Sequence, residues 1–274
     1  MASIVILEHR FQDRLKRRYL AHLWAERWRR QGHRVVVQRG PDDPPAADLA
    51  LLNLDLTVVP EPYRRLAARY ERVLNGAVLD VSKRRISRQL LAGPDDPWDG
   101  PVLVKTDANY GGLPEMMLRH QAEQAGRRSA IPPVVALEGY SLFPNPRAVP
   151  PAVWTTPSLV VERFLPEREG EAYCMRVWTF LGTRERSTRY RAAVPVIKSS
   201  DVRGAEPVPV PDEIREARRA LGFDYGKLDY VRHDGRWVLL DANRTPGAPD
   251  NLLADPALAA SLEGLADGLA DYLG

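Results

Sequence analysis

The apolar positions of the first eighty residues change period repeatedly. Residues 3–8, SIVILE, form a short continuous apolar run of the kind a buried strand carries. From about 11 to 31 the spacing of Leu15, Tyr19, Leu23, Trp24 and Trp28 predicts one apolar stripe on a helix, which Gly32 ends. Residues 33–38 predict a second strand, GPDDPPAAD a loop, and 48–58 a third strand. Strand, helix, strand, loop, strand is the opening of a parallel α/β layer. A short amphipathic helix over 60–72 follows, and VLNGAVLDVS leads into another over 83–91.

The middle is less regular. Residues 101–105 predict a strand running into the loop TDANYGGLPE, and 116–126 predict a helix. The proline- and aromatic-rich stretch 131–158 reads as an ordered linker. Residues 159–164 predict a strand, PEREGE a loop, and 173–181 a second strand able to pair with the first. A third strand over 188–198, carrying Lys198, precedes the polar loop SSDVRGAEPVPVP. A helix over 213–221 follows, with Pro211 ahead of it and Asp212 as its cap. A small-residue helix over 256–273 closes the chain.

Between those last helices lies GKLDYVRHDGRWVLLDANRTPG, residues 226–247, two strand-type runs around His233-Asp234-Gly235. Alternation puts Leu228, Tyr230, Val238, Leu240 and Ala242 on an apolar face and Lys227, Asp229, Asp241 and Asn243 on the other, provided the loop has an odd number of residues. A two-residue loop would set Asp229 opposite Leu240 and send the two carboxylates to opposite faces, so the sequence predicts a three-residue loop with Gly235 left-handed. Two carboxylates and an amide on one face invite a hard cation. At about 4 Å and an effective dielectric of 20 the acids repel by roughly 4 kcal/mol, which a divalent ion turns into attraction. The alternative is a solvated hairpin whose acids keep an edge soluble.

Composition narrows the class. With 274 residues, 44% hydrophobic and 27% charged, the chain can bury a full core in two or three sub-lobes. No run approaches a membrane span, and MASIVILEH reads as a first strand instead of a signal peptide, which makes a cytoplasmic protein the expectation. One cysteine, Cys174, fits a reducing compartment. Net charge is only +3, so nucleic-acid binding would need clusters such as Lys16-Arg17-Arg18, Arg29-Arg30 and Lys83-Arg84-Arg85. The first two fall on a solvated helix face, and no aromatic-interleaved reader motif accompanies them. Of 39 basic residues only five are lysine, Lys16, Lys83, Lys105, Lys198 and Lys227. A compact ammonium and a planar guanidinium differ as phosphate ligands, so these five positions mark candidate chemistry.

Lys105 ends a strand beside a loop with Asn109, Gly111 and Gly112, an arrangement that can cover a phosphate, although neither a Walker loop nor a dinucleotide fingerprint occurs. The apolar strand LVVERFLPE and then the acidic hairpin follow it. In that order, the three resemble the ATP-grasp superfamily of carboxylate-amine and carboxylate-thiol ligases, of the glutathione synthetase and D-alanine ligase kind, over essentially the whole chain. The resemblance implies an α/β protein in which an N-terminal parallel domain, 1–80, precedes two α+β lobes, 81–158 and 159–274, that sandwich ATP.

Position by position, the resemblance gives Lys83 in SKRRISRQLL and Lys105 in PVLVKTDANYGG to the nucleotide, with Gly111 and Gly112 over its phosphates. In LVVERFLPE it gives Glu162 and the backbone near Arg163 and Leu165 to the adenine, and it places Glu171 at the ribose. Lys198 joins the nucleotide set through its strand position. LDYV and LLDANRTPG give Asp229, Asp241 and Asn243 to one or two Mg²⁺, with Mn²⁺ as a substitute. Lys227 lies near the transferring phosphoryl group, and Arg176 and Arg191 are candidates to grip the carboxylate or stabilise its oxyanion. Two features depart from the pattern. Asp241 stands where glutamate is usual, and no separate substrate-binding insertion is evident. The implied activity joins a small-molecule or peptide carboxylate, activated as an acyl phosphate, to an amine, with ADP released and relatives often dimeric. The alternatives are a small-molecule kinase of the same fold and a non-catalytic nucleotide-binding partner.

Overall fold

A computed structural model of the chain describes residues 1–273 apart from 16, 17, 136 and 138, with the backbone alone for 250 and 251. In chain order the strands are β1 (Ser3–Glu8), β2 (Arg34–Arg39), β3 (Leu49–Leu52), β4 (Val73–Leu74), β5 (Val102–Thr106), β6 (Ser141–Phe143), β7 (Leu159–Arg163), β8 (Glu167–Glu169), β9 (Ala172–Leu181), β10 (Arg184–Ala192), β11 (Val202–Pro207), β12 (Tyr225–His233) and β13 (Arg236–Asn243). The helices are α1 (Leu20–Arg30), α2 (Glu61–Ala67), α3 (Lys83–Ile86), α4 (Leu113–Gln124), α5 (Pro151–Trp154), α6 (Asp212–Leu221) and α7 (Pro256–Gly264), with short 3₁₀ turns between.

Three sheets result. β2-β1-β3-β4 is parallel, and its central strands are apolar on both faces because each face is covered. On one side α1 inserts Trp24 and Trp28, whose indole N–H groups donate to the carbonyls of Leu262 and Ala266 at 2.9 and 2.8 Å. On the other α2 packs Tyr63 and Leu66. The C-terminal segment therefore completes the core of the N-terminal layer. The second sheet is β6-β5-β7, and the third runs β11-β10-β9-β12-β13 with β8 beside β9. Beneath the third, α6 and the segment 78–86 bury Trp178, Phe180, Leu228 and Tyr230.

Several expected elements are redrawn. The helix over 11–31 begins only at Leu20, after a 3₁₀ turn at Gln12–Leu15, because the backbone at 18–20 is engaged elsewhere. Leu20 donates to the Pro246 carbonyl and Ala248 to that of Arg18. Of the basic cluster there, Lys16 and Arg17 lie outside the described residues. The third strand stops at Leu52, after which the carbonyls of Leu54 and Leu56 accept from the fully buried Arg244. The strand at 159–163 does not pair with the one beginning at 172; it joins β5 in the small sheet, while β9 pairs with β10, β12 and β8. β10 ends at Ala192, six residues before Lys198, and the polar loop after it contains β11. Asp212 is the first residue of α6, preceded by Pro211, and not its cap. The final helix breaks into a 3₁₀ segment from Leu265, where a Cβ on Gly268 would meet the Leu181 carbonyl oxygen at 1.9 Å. No helix among the described residues is long and apolar enough to cross a membrane.

Candidate functional site

The hairpin of β12 and β13 turns on Asp234-Gly235, two residues and not the expected three. Their φ values of 46° and 78° make the mirror-image turn whose twist suits a two-residue hairpin. From His233 opposite Arg236 the ladder is regular to Tyr230 opposite Leu239, and continued unchanged it would set Leu240 against Asp229. Instead the register shifts, so that Asp229 faces Asp241, Leu228 faces Ala242 and Lys227 faces Asn243. Leu240 is the extra residue of a β-bulge. The change of parity that unites the carboxylates is made beside them and not at the turn. It also reassigns the apolar residues. Trp237 and Leu239 pack with the core under the sheet. Leu240 lines the opposite side, shared by Val238 through its partner Val231.

That opposite side is one wall of a cleft of about 840 Å³, measured to its open mouth. β5 and β7 form the facing wall through Leu103, Lys105, Glu162 and Arg163, the chain continues through Phe164 and Leu165, and Pro195–Ile197 borders it. Asp229, Asp241 and Tyr140 stand at its polar end. The mix of apolar lining with a few convergent charges suits a small-molecule ligand.

Three lysines meet three acids there. Lys83, brought by α3, places its Nζ 2.6 Å from Asp241 Oδ1. Lys105 on β5 is 2.7 Å from Glu162 Oε2, and its ammonium also reaches the Leu240 carbonyl at 3.4 Å, across the cleft. Lys227 is 3.1 Å from Asp229 Oδ2. Lys83, Lys105 and Glu162 are all at least nine-tenths buried. Of the three oxygens the lysines leave, Asp229 Oδ1 and Glu162 Oε1 are buried without a hydrogen-bond partner.

The paired acids titrate apart. Burial pushes the Asp229 carboxyl above its ordinary value against the pull of Lys227, and the charge of Asp241 adds to the rise. Burial acts on Asp241 in the same direction, but Lys83 and Lys105 outweigh it and hold that carboxyl below the usual range. Tyr140, about half exposed, has its hydroxyl pushed up to about 12 by desolvation and by Asp241 and Asp229.

Asn243 is fixed from behind. Its Oδ1 accepts from the Thr245 backbone N–H at 2.8 Å, and the Thr245 hydroxyl donates to Asp55 Oδ1 at 3.0 Å. Tyr19 holds the other Asp55 oxygen at 2.7 Å, tying the end of β13 to the N-terminal layer. Among the described residues no three His, Cys, Asp or Glu side chains form a ready metal site. Two carboxylates and an amide do fit a hard cation that takes its other oxygens from phosphate and water, and the orphaned Asp229 Oδ1 is a free donor for it.

Not every expected residue reaches this cleft. Gly111 and Gly112 lie in a left-handed turn, φ 68° and 76°, anchored by the Asn109 N–H on Thr57 Oγ1 and packed near Val134. Arg163 does line the cleft, but its N–H donates to the Gln89 carbonyl at 2.9 Å and its guanidinium stacks over Trp98. Glu171 is fully exposed, 3.7 Å from Arg168, and is not among the residues that line the cleft; Glu167, read as loop, does line it. Lys198 is exposed and opens a 3₁₀ turn. Arg176 alternates with the cleft residue Met175 and lies over Trp237 on the other face, paired with Glu167. Arg191 is exposed and 3.8 Å from Glu169. These two arginines therefore belong to the charge network of Glu167, Arg189 and Glu169 and not to the cleft. Tyr140 and the Thr245–Asp55 support went unread: one sits in an irregular linker, the other joins residues 190 apart.

No protein-family model matches the chain, and no curated protein matches it by sequence. Solved structures do match. The macrocyclase MdnC from Microcystis aeruginosa MRC, solved with precursor peptide MdnA, is similar with a TM-score of 0.57 at 9% identity, over 98% of this chain and 99% of that one. D-alanine–D-alanine ligase from Bacillus anthracis gives 0.52 at 14% identity, over 99% and 96%. ATP-grasp ligase PsnB, complexed with minimal precursor, Mg and ADP, gives 0.53 at 15% identity, over 98% and 96%. The chain has the ATP-grasp fold.

Proposed function

We propose that this protein is an ATP-dependent ligase that activates a carboxylate as an acyl phosphate and joins it to an amine, releasing ADP. The observation that carries the reading is the convergence of Lys83, Lys105 and Lys227 on the facing Asp229 and Asp241 at the polar end of one cleft. Residues 1–80, 81–158 and 159–274 are proposed as the three units of this machine, with β7 added to the second on the strength of its pairing with β5.

In this reading Glu162 and the backbone near Leu165 take the adenine, with Glu162 Oε1 as an acceptor still without a donor. Lys83 and Lys105 grip the phosphates, and the loop of Gly111 and Gly112 closes over them. Asp229, Asp241 and Asn243 hold Mg²⁺, for which Mn²⁺ can substitute; the ion supplies charge neutralisation on the phosphate oxygens. Lys227, beside Asp229, stabilises the charge that develops as the γ-phosphoryl passes to the substrate carboxylate. Such transfer asks for positioning and electrostatics more than for covalent help. The amine then attacks the acyl carbon, phosphate leaves, and the nitrogen's proton is lost to solvent.

A peptide as carboxylate donor is in keeping with the solved neighbours, since the macrocyclase MdnC is bound with a precursor peptide and the ATP-grasp ligase PsnB is complexed with a minimal precursor. Incubation with Mg-ATP, pooled amino acids, peptides and other carboxylates, and hydroxylamine tests the reading. Hydroxamate formation with ADP release is the expected result, whereas phosphate left on a hydroxyl would make the protein a kinase and overturn it.

A further inference from the structure

Each carboxylate that faces the polar end of the cleft already holds an ammonium group. Lys83 covers Asp241 at 2.6 Å, Lys227 covers Asp229 at 3.1 Å and Lys105 covers Glu162 at 2.7 Å, so three cations and three anions cancel. Asn243 is engaged as well, through its Oδ1 and the Thr245 amide. A divalent ion arriving alone would sit among three lysines that already balance the acids, with no added anion to receive them. Asp229 Oδ1 and Glu162 Oε1 are buried without a partner, and Lys83 engages Oδ1 of Asp241. A polyphosphate changes that balance. Its oxygens give the lysine ammonium groups, each on a flexible stem, an alternative partner, and the carboxylates are then released to the metal.

We infer that Lys83, with Lys227 as its counterpart on Asp229, is a counter-ion lock that makes metal binding conditional on nucleotide. The lock rests on the metal and nucleotide reading given above. Lys83 is the stronger half because it is nine-tenths buried, whereas a third of the Lys227 side chain is exposed. Lys105 adds a mechanical element, since its ammonium bridges Glu162 on β7 to the Leu240 carbonyl on β13 and so ties the two walls of the cleft together.

The test is protein-bound Mn²⁺ measured by equilibrium dialysis of the whole chain, with Mn²⁺ alone and with a non-hydrolysable ATP analogue present on both sides of the membrane. Wild type should bind Mn²⁺ alone at least tenfold more weakly than with the analogue. Lys83→Met should bind Mn²⁺ alone at least tenfold more tightly than wild type, and adding Asp241→Asn should abolish that gain. Lys227→Met, which uncovers Asp229, should give a smaller gain in the same direction and stands in if Lys83→Met does not fold. Affinity for Mn²⁺ alone that is unchanged or weaker in both folded variants would overturn the lock while leaving the metal site intact, provided wild type binds Mn²⁺ with the analogue. Absence of Mn²⁺ binding to any form, with or without the analogue, would overturn both the lock and the metal assignment.

Discussion

Asp229 and Asp241 face each other across the β12–β13 ladder because Leu240 is bulged out between Leu239 and Asp241. The turn at Asp234-Gly235 alone would have placed Leu240 opposite Asp229. Both carboxylates consequently open onto the same cleft as Lys105, and the two-residue turn is reconciled with that pairing by bulging one residue out of one strand.

That origin of the register predicts the effect of removing the surplus. Deleting Leu240 leaves the two-residue turn unchanged and makes the ladder regular, with Asp241 still opposite Asp229. The deletion variant should fold, and its Mn²⁺ affinity in the presence of nucleotide should stay within about twofold of wild type, within the few tenths of a kcal/mol expected of a retained contact. Loss of the metal site on deletion would show that the register is set elsewhere. The carbonyl of Leu240, which accepts from Lys105, is lost in either case.

The pair of Lys105 and Glu162 is buried on both sides, with side-chain exposures of 7% and 5%. Lys105→Met leaves a carboxylate buried without its counter-ion and should lower unfolding free energy by about 3–5 kcal/mol in urea titrations. Lys105→Met with Glu162→Met replaces the pair by apolar side chains and should recover most of that loss. Nucleotide binding should stay at least tenfold weakened in the double variant, which separates the stability role of the pair from its ligand role.

Arg176 and Arg191 sit apart from the cleft, and their substitution should show it. Arg176→Ala breaks the pair with Glu167, which keeps Arg189 and the Arg232 amide. The expected cost is about 2 kcal/mol of stability, below the roughly 3–5 of a wholly uncompensated buried pair, with nucleotide affinity changed less than about threefold. Arg191→Ala should alter neither. A loss of carboxylate affinity with unchanged stability in either variant would return these arginines to the active site.

His9 gives the fold a pH dependence of its own. Burial, with the nearby charge of Arg10, lowers its pKa from 6.5 to about 4, and its Nδ1 accepts from the Phe11 N–H at 3.3 Å. The folded state therefore keeps His9 neutral where the unfolded chain is protonated. Stability from this residue is fully present above about pH 6.5, declines as pH falls and is lost once pH passes below about 4. The span corresponds to about 3 kcal/mol at most. Urea unfolding from pH 7 to 4.5 should show a shallower decline in His9→Gln than in wild type.

Much of this was legible in the sequence, and what was not has local causes. Ser3–Glu8 emerged as read, because a strand covered on both faces is apolar throughout. The chemistry of the hairpin was carried by residue types, Lys227, Asp229, Asp241 and Asn243, in a chain poor in lysine. The bulge was not legible, since an apolar Leu240 fits either face and only pairing decides which. Helix α1 was read nine residues too long because its apolar stripe continues upstream, while the backbone there bonds to Pro246 and Ala248, far away in sequence. Arg191 was assigned by order along the chain, which does not report to which side of β10 a side chain points, and Glu171 falls in the turn between β8 and β9. The support of Asn243 by Thr245 and Asp55 is tertiary and has no sequence period.

Asp241 carries the central claim, being the acid that Lys83 covers and that the bulge brings opposite Asp229. The most direct measurement is ADP release with Mg-ATP and the carboxylate and amine pools, in wild type against Asp241→Asn, with folding checked by thermal unfolding. The account predicts substrate-dependent ADP release in wild type and a loss of at least about 100-fold in the variant, the scale on which removing one electrostatic partner of a transition state acts. Substrate-dependent ADP release that survives in folded Asp241→Asn would contradict it.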